Sequence, residues 1–74
     1  MTEEEIIENL RQQNESFKQL EEDHRNLDTQ IDEFDKKRYL TNDECIRRKE
    51  LQKTKLFKKD KIAEMIRDYR RSRN

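Results

Sequence analysis

Apolar side chains recur every three or four positions between residues 17 and 34, and this spacing constrains the fold more than any other feature of the sequence. Such positions form one stripe of an α-helix, the a and d positions of a heptad repeat. The stripe consists of Phe17, Leu20, His24, Leu27, Ile31 and Phe34. Because one helix cannot shield this stripe from water, the sequence predicts that a second helix covers it.

The stripe continues toward the N-terminus through Ile6 and Leu10, which keep the same register. Gln13 interrupts it at a d position. Thr2 and Glu5 have the spacing of a capping box, which predicts that a helix begins at about residue 3. We therefore expect one continuous first helix over about residues 3–36, followed by a connection over about residues 37–41.

A second capping box, Thr41-x-x-Glu44, predicts a second helix over about residues 42–71. A turn near residue 39 or 40 pairs residues whose numbers sum to about 79, which places Phe17 opposite Ile62. The apolar side chains of the second helix are less regularly spaced than those of the first. Those that we assign to the interhelix seam are Cys45, Leu51, Leu56, Ile62, Ala63, Ile66 and Tyr69.

Charge divides the chain into two complementary halves. Residues 1–35 contain 12 acidic and 3 basic side chains, a net charge of −9, and residues 36–74 contain 6 acidic and 15 basic side chains, a net charge of +9. The sequence has no Gly and no Pro, so the usual breaks of long helices are missing. These features predict a single all-α unit over residues 1–74, an antiparallel two-helix hairpin of the coiled-coil type.

The apolar face of the second helix is broader than one seam, which predicts self-association. Ile46, Leu51, Phe57 and Met65 cannot all point toward the first helix at once. Chains of this size seldom reach useful stability from one small core without a disulfide, a metal or a partner subunit. With one Cys in the chain, an internal disulfide is excluded. We expect two hairpins to form a four-helix bundle.

Several of these residues occur in a wider pattern. It comprises Phe17 and Leu20, then His24-x-x-Leu27-Asp28-x-x-Ile31, and in the second half Leu51, Lys55-Leu56-x-x-Lys59-Asp60-x-Ile62 and Met65-Ile66. In order and spacing, about residues 16–66 resemble the small bacterial YdcH-like family, a domain of unknown function. Lys58 departs from the pattern, since relatives more often have an apolar residue there. The resemblance implies a helical hairpin or coiled coil and no particular activity.

Catalytic chemistry has little support in the sequence. His24 and Cys45 fall on different predicted helices, and no glycine-rich loop is present to bind phosphate. The spacing Glu21-x-x-His24 occurs in di-iron bundles, but the heptad phase places Glu21 only at the edge of the seam. We interpret His24 as a seam residue that is hydrogen-bonded to a polar neighbour. We expect no enzyme activity, cofactor, metal site or small-molecule substrate.

The predicted partner is a second copy of the chain or another helical protein. The alternative is weak nucleic-acid binding through the basic second helix, with contacts from Lys53, Lys58, Lys61, Arg67, Arg70 and Arg71. Against it, the net charge of the whole chain is zero. No apolar run approaches the roughly 20 residues of a membrane span. The first residues are acidic, where a signal peptide would be basic, so we expect a cytoplasmic protein without membrane contact.

Overall fold

The computed structural model describes the backbone of residues 1–73 and the side chains of residues 1–72. Its helices are α1, Glu3–Gln13, α2, Glu15–Asp35, and α3, Asn42–Arg73. The prediction of an all-α chain is confirmed. The described part of the chain has three helices, however, because the first predicted helix is divided in two.

The division occurs at Asn14, and it corrects the prediction of a continuous helix over residues 3–36. The Asn14 backbone is extended, with φ −135° and ψ 107°. Its N–H donates to the Leu10 carbonyl oxygen at 2.8 Å, which ends α1. Its side-chain Oδ1 accepts from the Phe17 N–H at 3.2 Å, which caps the start of α2. Asn favours such caps because its side chain competes with the helical hydrogen bonds of the backbone.

The axis bends sharply at this break. Arg11 of α1 forms a two-point ion pair with Glu21 of α2, with nitrogen–oxygen distances of 2.6 and 3.0 Å. In an unbroken helix, residues ten apart would lie about 15 Å apart along the axis. The contact is therefore possible only because α1 folds back, and α1 consequently packs on both α2 and α3.

Helices α2 and α3 run antiparallel. Their ion pairs join Asp28 with Lys55 and Asp23 with Lys58, so the residue numbers rise along one helix as they fall along the other. These numbers sum to 83 and 81, above the predicted backbone register of about 79. Helical side chains lean toward the N-terminus of their own helix, which accounts for sums in excess of the backbone register. The molecule measures 49 × 19 × 15 Å, so α3 alone extends along its length.

The second predicted capping box is complete, whereas at the first only the bond to the threonine hydroxyl has the capping geometry. Thr2 Oγ1 accepts from the Glu5 N–H at 3.2 Å. At the start of α3 the exchange is reciprocal: Thr41 Oγ1 accepts from the Glu44 N–H, and Glu44 Oε1 accepts from the Thr41 N–H, both at 3.1 Å. These bonds satisfy backbone donors that a helix start would otherwise leave unpaired. The Thr41–Glu44 bonds mark the start of α3, and because α2 ends at Asp35 the connection between them comprises residues 36–41.

The main core lies at the end of the molecule away from this connection. Ile6, Leu10 and Phe17 pack there against Ile66, and each is at most 8% exposed. Half-buried side chains surround them, namely Ile7, Ile62, Met65 and Tyr69. The bend at Asn14 creates this core, because it brings α1 over the side of Phe17 that a straight helix would leave open.

Candidate interaction surfaces

The stripe of α2 faces inward as predicted. Phe17 and Ile31 are buried, and the remaining four positions are half-buried: Leu20, His24, Leu27 and Phe34. Ile6 and Leu10 of α1 are buried as well, although they reach the core through the bend at Asn14. The heptad spacing of the first 34 residues thus identified the inward-facing side chains.

On α3 the assignment of three residues to the interhelix seam is wrong. Cys45, Leu56 and Ala63 are exposed, whereas Leu51, Ile62, Ile66 and Tyr69 are buried or half-buried. A straight helix presents one stripe to its partner, and the stripe of α3 that is turned inward has positions spaced by three and four residues. Its members, all half-buried, are Glu44, Arg48, Leu51, Lys55, Lys58, Ile62, Met65 and Tyr69.

Four positions of this α3 seam are charged, and each has an opposite charge facing it. Arg48 Nε lies 2.8 Å from Asp35 Oδ1, and Lys58 Nζ lies 3.3 Å from Asp23 Oδ2. The other two pairs are Lys55 with Asp28 and Glu44 with Lys37. Long lysine and arginine side chains can cover the apolar interface with their methylenes while their charges stay hydrated. The interface is therefore apolar at one end and ionic over much of its length.

Three carboxyl groups of this ionic seam have lowered pKa values, those of Asp23, Asp28 and Glu44. A hydrogen bond from Lys55 holds the pKa of the Asp28 carboxyl below its usual value. The pKa of Glu44 is lowered, first by its bond from Lys37 and then by the bond from the Thr41 backbone N–H. For Asp23 the largest cause of a lowered pKa is the hydrogen bond from Gln19, with Lys58 adding to it. The ionised carboxylates are thus the forms that the fold stabilises.

His24 lies in a shallow depression between α2 and α3. The depression is lined by Glu21, His24, Arg25, Asp28, Lys59 and Ile62. The Nε2 atom of His24 is buried and has no hydrogen-bond partner among the described residues, so the expected bond to a polar neighbour is absent at that nitrogen. Within the described residues, no three His, Cys, Asp or Glu side chains are grouped closely enough to hold a metal ion.

The outward side of α3 exposes large apolar side chains. Ile46, Leu56 and Phe57 are 57%, 59% and 58% exposed. The Nζ atom of Lys61 lies over the Phe57 ring, 5.8 Å from the ring centre. The expectation that α3 has more apolar surface than one seam can bury agrees with these exposures.

The basic residues proposed to contact nucleic acid do not form one set. Lys53, Lys61, Arg67, Arg70 and Arg71 are exposed. Lys58 is half-buried and paired with Asp23, which removes it from any outer basic surface. Lys61 lies 3.6 Å from Glu64, so part of its charge is offset locally.

The residues that we missed have identifiable signals. Arg48 and Glu44 continue the three-and-four spacing of Leu51 and Ile62 toward the connection, but charged side chains at seam positions hid the pattern. The signal for the break between α1 and α2 was Asn14, which follows the polar Gln13 and is of a residue type preferred at helix caps.

None of the family models, curated proteins or solved structures compared with this chain matches it. The resemblance to the YdcH-like family therefore stays a prediction from the residues. Among the described residues, no helix combines the length and the apolar character needed to cross a membrane.

Proposed function

We propose that this chain is a non-enzymatic helical module whose task is to bind another helix, its preferred partner being a second copy of itself. The observation that carries this proposal is the exposure of Ile46, Leu56 and Phe57, each more than half exposed on α3. An apolar side chain of this size gains about 1.5–3 kcal/mol when it is fully buried. Contact with another helix would recover part of that free energy.

The small core supports the same proposal. Five apolar side chains are buried among the described residues: Ile6, Leu10, Phe17, Ile31 and Ile66. Much of the α2–α3 interface depends on partly exposed ion pairs, and such pairs are worth little individually. A partner subunit would supply the additional apolar burial that small domains commonly require.

Light scattering coupled to size exclusion tests the proposal over about a hundredfold dilution from near-millimolar protein. We expect a dimeric mass at the high end and a falling mass on dilution. A monomeric mass throughout would exclude self-association. The module would then act only on a different helical protein, which affinity capture with the wild-type chain and a Phe57→Asp variant would have to identify.

Nucleic-acid binding is the second candidate, favoured by the exposed members of the predicted contact set on α3, Lys53, Lys61, Arg67, Arg70 and Arg71. Acidic side chains interrupt this surface, however, and Asp60, Glu64 and Asp68 lie among the cations. We therefore expect weak binding with a steep salt dependence. Fluorescence anisotropy with labelled duplex and single-stranded probes at low and physiological salt decides it. Micromolar or tighter binding that persists at about 150 mM salt would overturn the module proposal.

A further inference from the structure

One stripe on the outer side of α3 has a pattern that complements itself. Ile46, Glu50, Lys53 and Phe57 follow one another at intervals of four, three and four residues, which is the spacing of a helix–helix seam. All four are exposed, with Ile46 and Phe57 at 57% and 58%. The opposite side of α3, with Leu51, packs on α2. The stripe is therefore open to a partner while the fold stays intact.

The order along this stripe is apolar, acidic, basic, apolar. We propose that it binds the same stripe of a second copy, with the two α3 helices antiparallel, an inference that deepens the proposed function by naming the partner and its surface. In this arrangement facing residues have numbers that sum to 103. Ile46 meets Phe57 of the second copy, and Glu50 meets Lys53. Two-fold symmetry repeats each contact, which is the property of an isologous interface.

The parallel arrangement does not share this complementarity. In register, parallel α3 helices would place Glu50 beside Glu50 and Lys53 beside Lys53, and like charges facing each other are destabilising. Charge thus selects the antiparallel partner. It also limits the contact: one step further along the stripe, Asp43 would face Asp60 of the second copy. The interface ends where these like charges meet, after about four turns of helix.

Such a contact belongs to the small, weak class of protein interfaces. One helix–helix stripe buries less than the roughly 1,200 Å² of total surface that marks stable complexes. The partner helices would approach over Ile46 and Phe57, and the Glu50–Lys53 pairs at the centre would fix the register. Beside the stripe the two copies then form a row of four helices, with α2 outermost on both sides and the two α3 helices in the middle, while the α1 helix of each copy lies toward the other end of its α3.

Charge-reversal variants test the geometry directly. Glu50→Lys gives a stripe with two cations, and Lys53→Glu gives one with two anions. Each variant alone should associate at least about tenfold more weakly than the wild type, because both central pairs become repulsive. An equimolar mixture of the two variants should associate again, since every cation then faces an anion. The double variant Glu50→Lys/Lys53→Glu should also recover wild-type association.

Asn26→Asp is the control, because Asn26 is exposed on α2, away from the stripe on α3. It should leave the dimer unchanged, whereas Phe57→Asp should abolish it. Sedimentation velocity measures association, and circular dichroism confirms that each variant keeps its helices. Association that the charge variants leave unaltered would refute this surface and leave the module proposal standing. A wild-type chain that stays monomeric near 1 mM would refute both this surface and self-association.

Discussion

Lys58 of α3 donates a hydrogen bond to Asp23 of α2 over 3.3 Å, from a half-buried seam position one turn before the apolar residue Ile62. Its neighbours in the three-and-four pattern, Lys55 and Ile62, are half-buried too. The lysine therefore occupies a place in the interface that an apolar side chain of similar length could fill. This makes Lys58 a direct probe of what the ionic seam contributes.

We expect Lys58→Met to raise the free energy of unfolding by about 1 kcal/mol, because an apolar side chain gains more from half-burial than a partly exposed ion pair provides. Lys58→Glu should lower stability, since it places a second anion beside Asp23. Lys59→Met is the control on the exposed neighbouring position, where we expect no change beyond about 0.5 kcal/mol. Urea denaturation followed by circular dichroism measures all three. A loss of stability in Lys58→Met would mean that the ion pair outweighs packing.

Substitution of Asn14 measures how much its cap contributes to the stability of the fold. Asn14→Ala removes the oxygen that accepts from the Phe17 N–H, and loss of such a cap costs about 1 kcal/mol. Asn14→Asp retains an acceptor at the same place and should be close to wild type. Thermal unfolding measures the melting temperatures of both variants and of the wild type. Equal stability of the Ala and Asp variants would show that packing of α1, and not the cap, maintains the bend.

The lowered pKa values predict acid sensitivity. Asp23, Asp28 and Glu44 have folded-state pKa values below their ordinary ones. Groups of this kind contribute stability that is fully present above the unfolded-state pKa of about 4 and is lost as the pH falls through the folded-state value. Stability should thus decline below about pH 4 and be insensitive to these groups near neutrality.

Asp28→Asn tests this pH dependence, because it removes one titrating group and weakens the contact with Lys55. We expect lower stability at pH 7 and a shallower decline in acid than in the wild type. Asp32→Asn, an exposed position on the same helix, is the control and should follow the wild-type profile. Urea midpoints between pH 7 and pH 3 provide the measurement. Parallel profiles for the wild type and Asp28→Asn would contradict the prediction.

The core at the end of the molecule should be sensitive to truncation. Phe17 is fully buried, and Phe17→Ala should cost about 3–5 kcal/mol because the contacts with Ile6 and Ile66 are lost. Leu56→Ala removes an apolar side chain that is 59% exposed and should change stability by less than about 0.5 kcal/mol. Since Phe17→Ala is expected to unfold much of the chain, Phe17→Leu offers a milder comparison. Comparable losses at positions 17 and 56 would argue against the described core.

The sequence identified α2 well because Phe17, Leu27 and Ile31 repeat at a regular spacing and the capping residues mark the helix starts. On α3 it did not identify the stripe that faces α2, and the reason is physical. Two candidate stripes, one through Leu51 and Ile62 and one through Leu56 and Ala63, have similar apolar content. The choice between them depends on which lysines find acidic partners on α2, a property of the folded pair that periodicity along one helix does not contain.

The bend at Asn14 was missed for a different reason. Leu10 and Phe17 keep the same heptad register on either side of the polar Gln13, so the apolar pattern predicts a straight helix. The Arg11–Glu21 ion pair and the cap hydrogen bond from the Phe17 backbone N–H to Asn14 both favour the break, but neither involves an apolar side chain of the seam. The sequence predicted that α3 has more apolar side chains than one seam can bury, but not which of them, such as Ile46 and Phe57, would be exposed. Their position on the outer side became clear only when the inward-facing stripe of α3 was known.

The location of the apolar core far from the connection has a consequence for the order in which the chain folds. Phe17 and Ile66 are 49 residues apart in sequence, whereas near the connection ion pairs such as Arg48–Asp35 link α2 to α3. Ile31 is buried between the connection and this core, but its seam neighbours are only half-buried and surface ion pairs add little, so we expect zipping from residue 40 outward to be weakly driven. We therefore expect the folding transition state to close a loop of about 50 residues before burial compensates for the lost chain entropy. Amide hydrogens near the connection should accordingly exchange fastest, and those around Phe17 and Ile66 slowest.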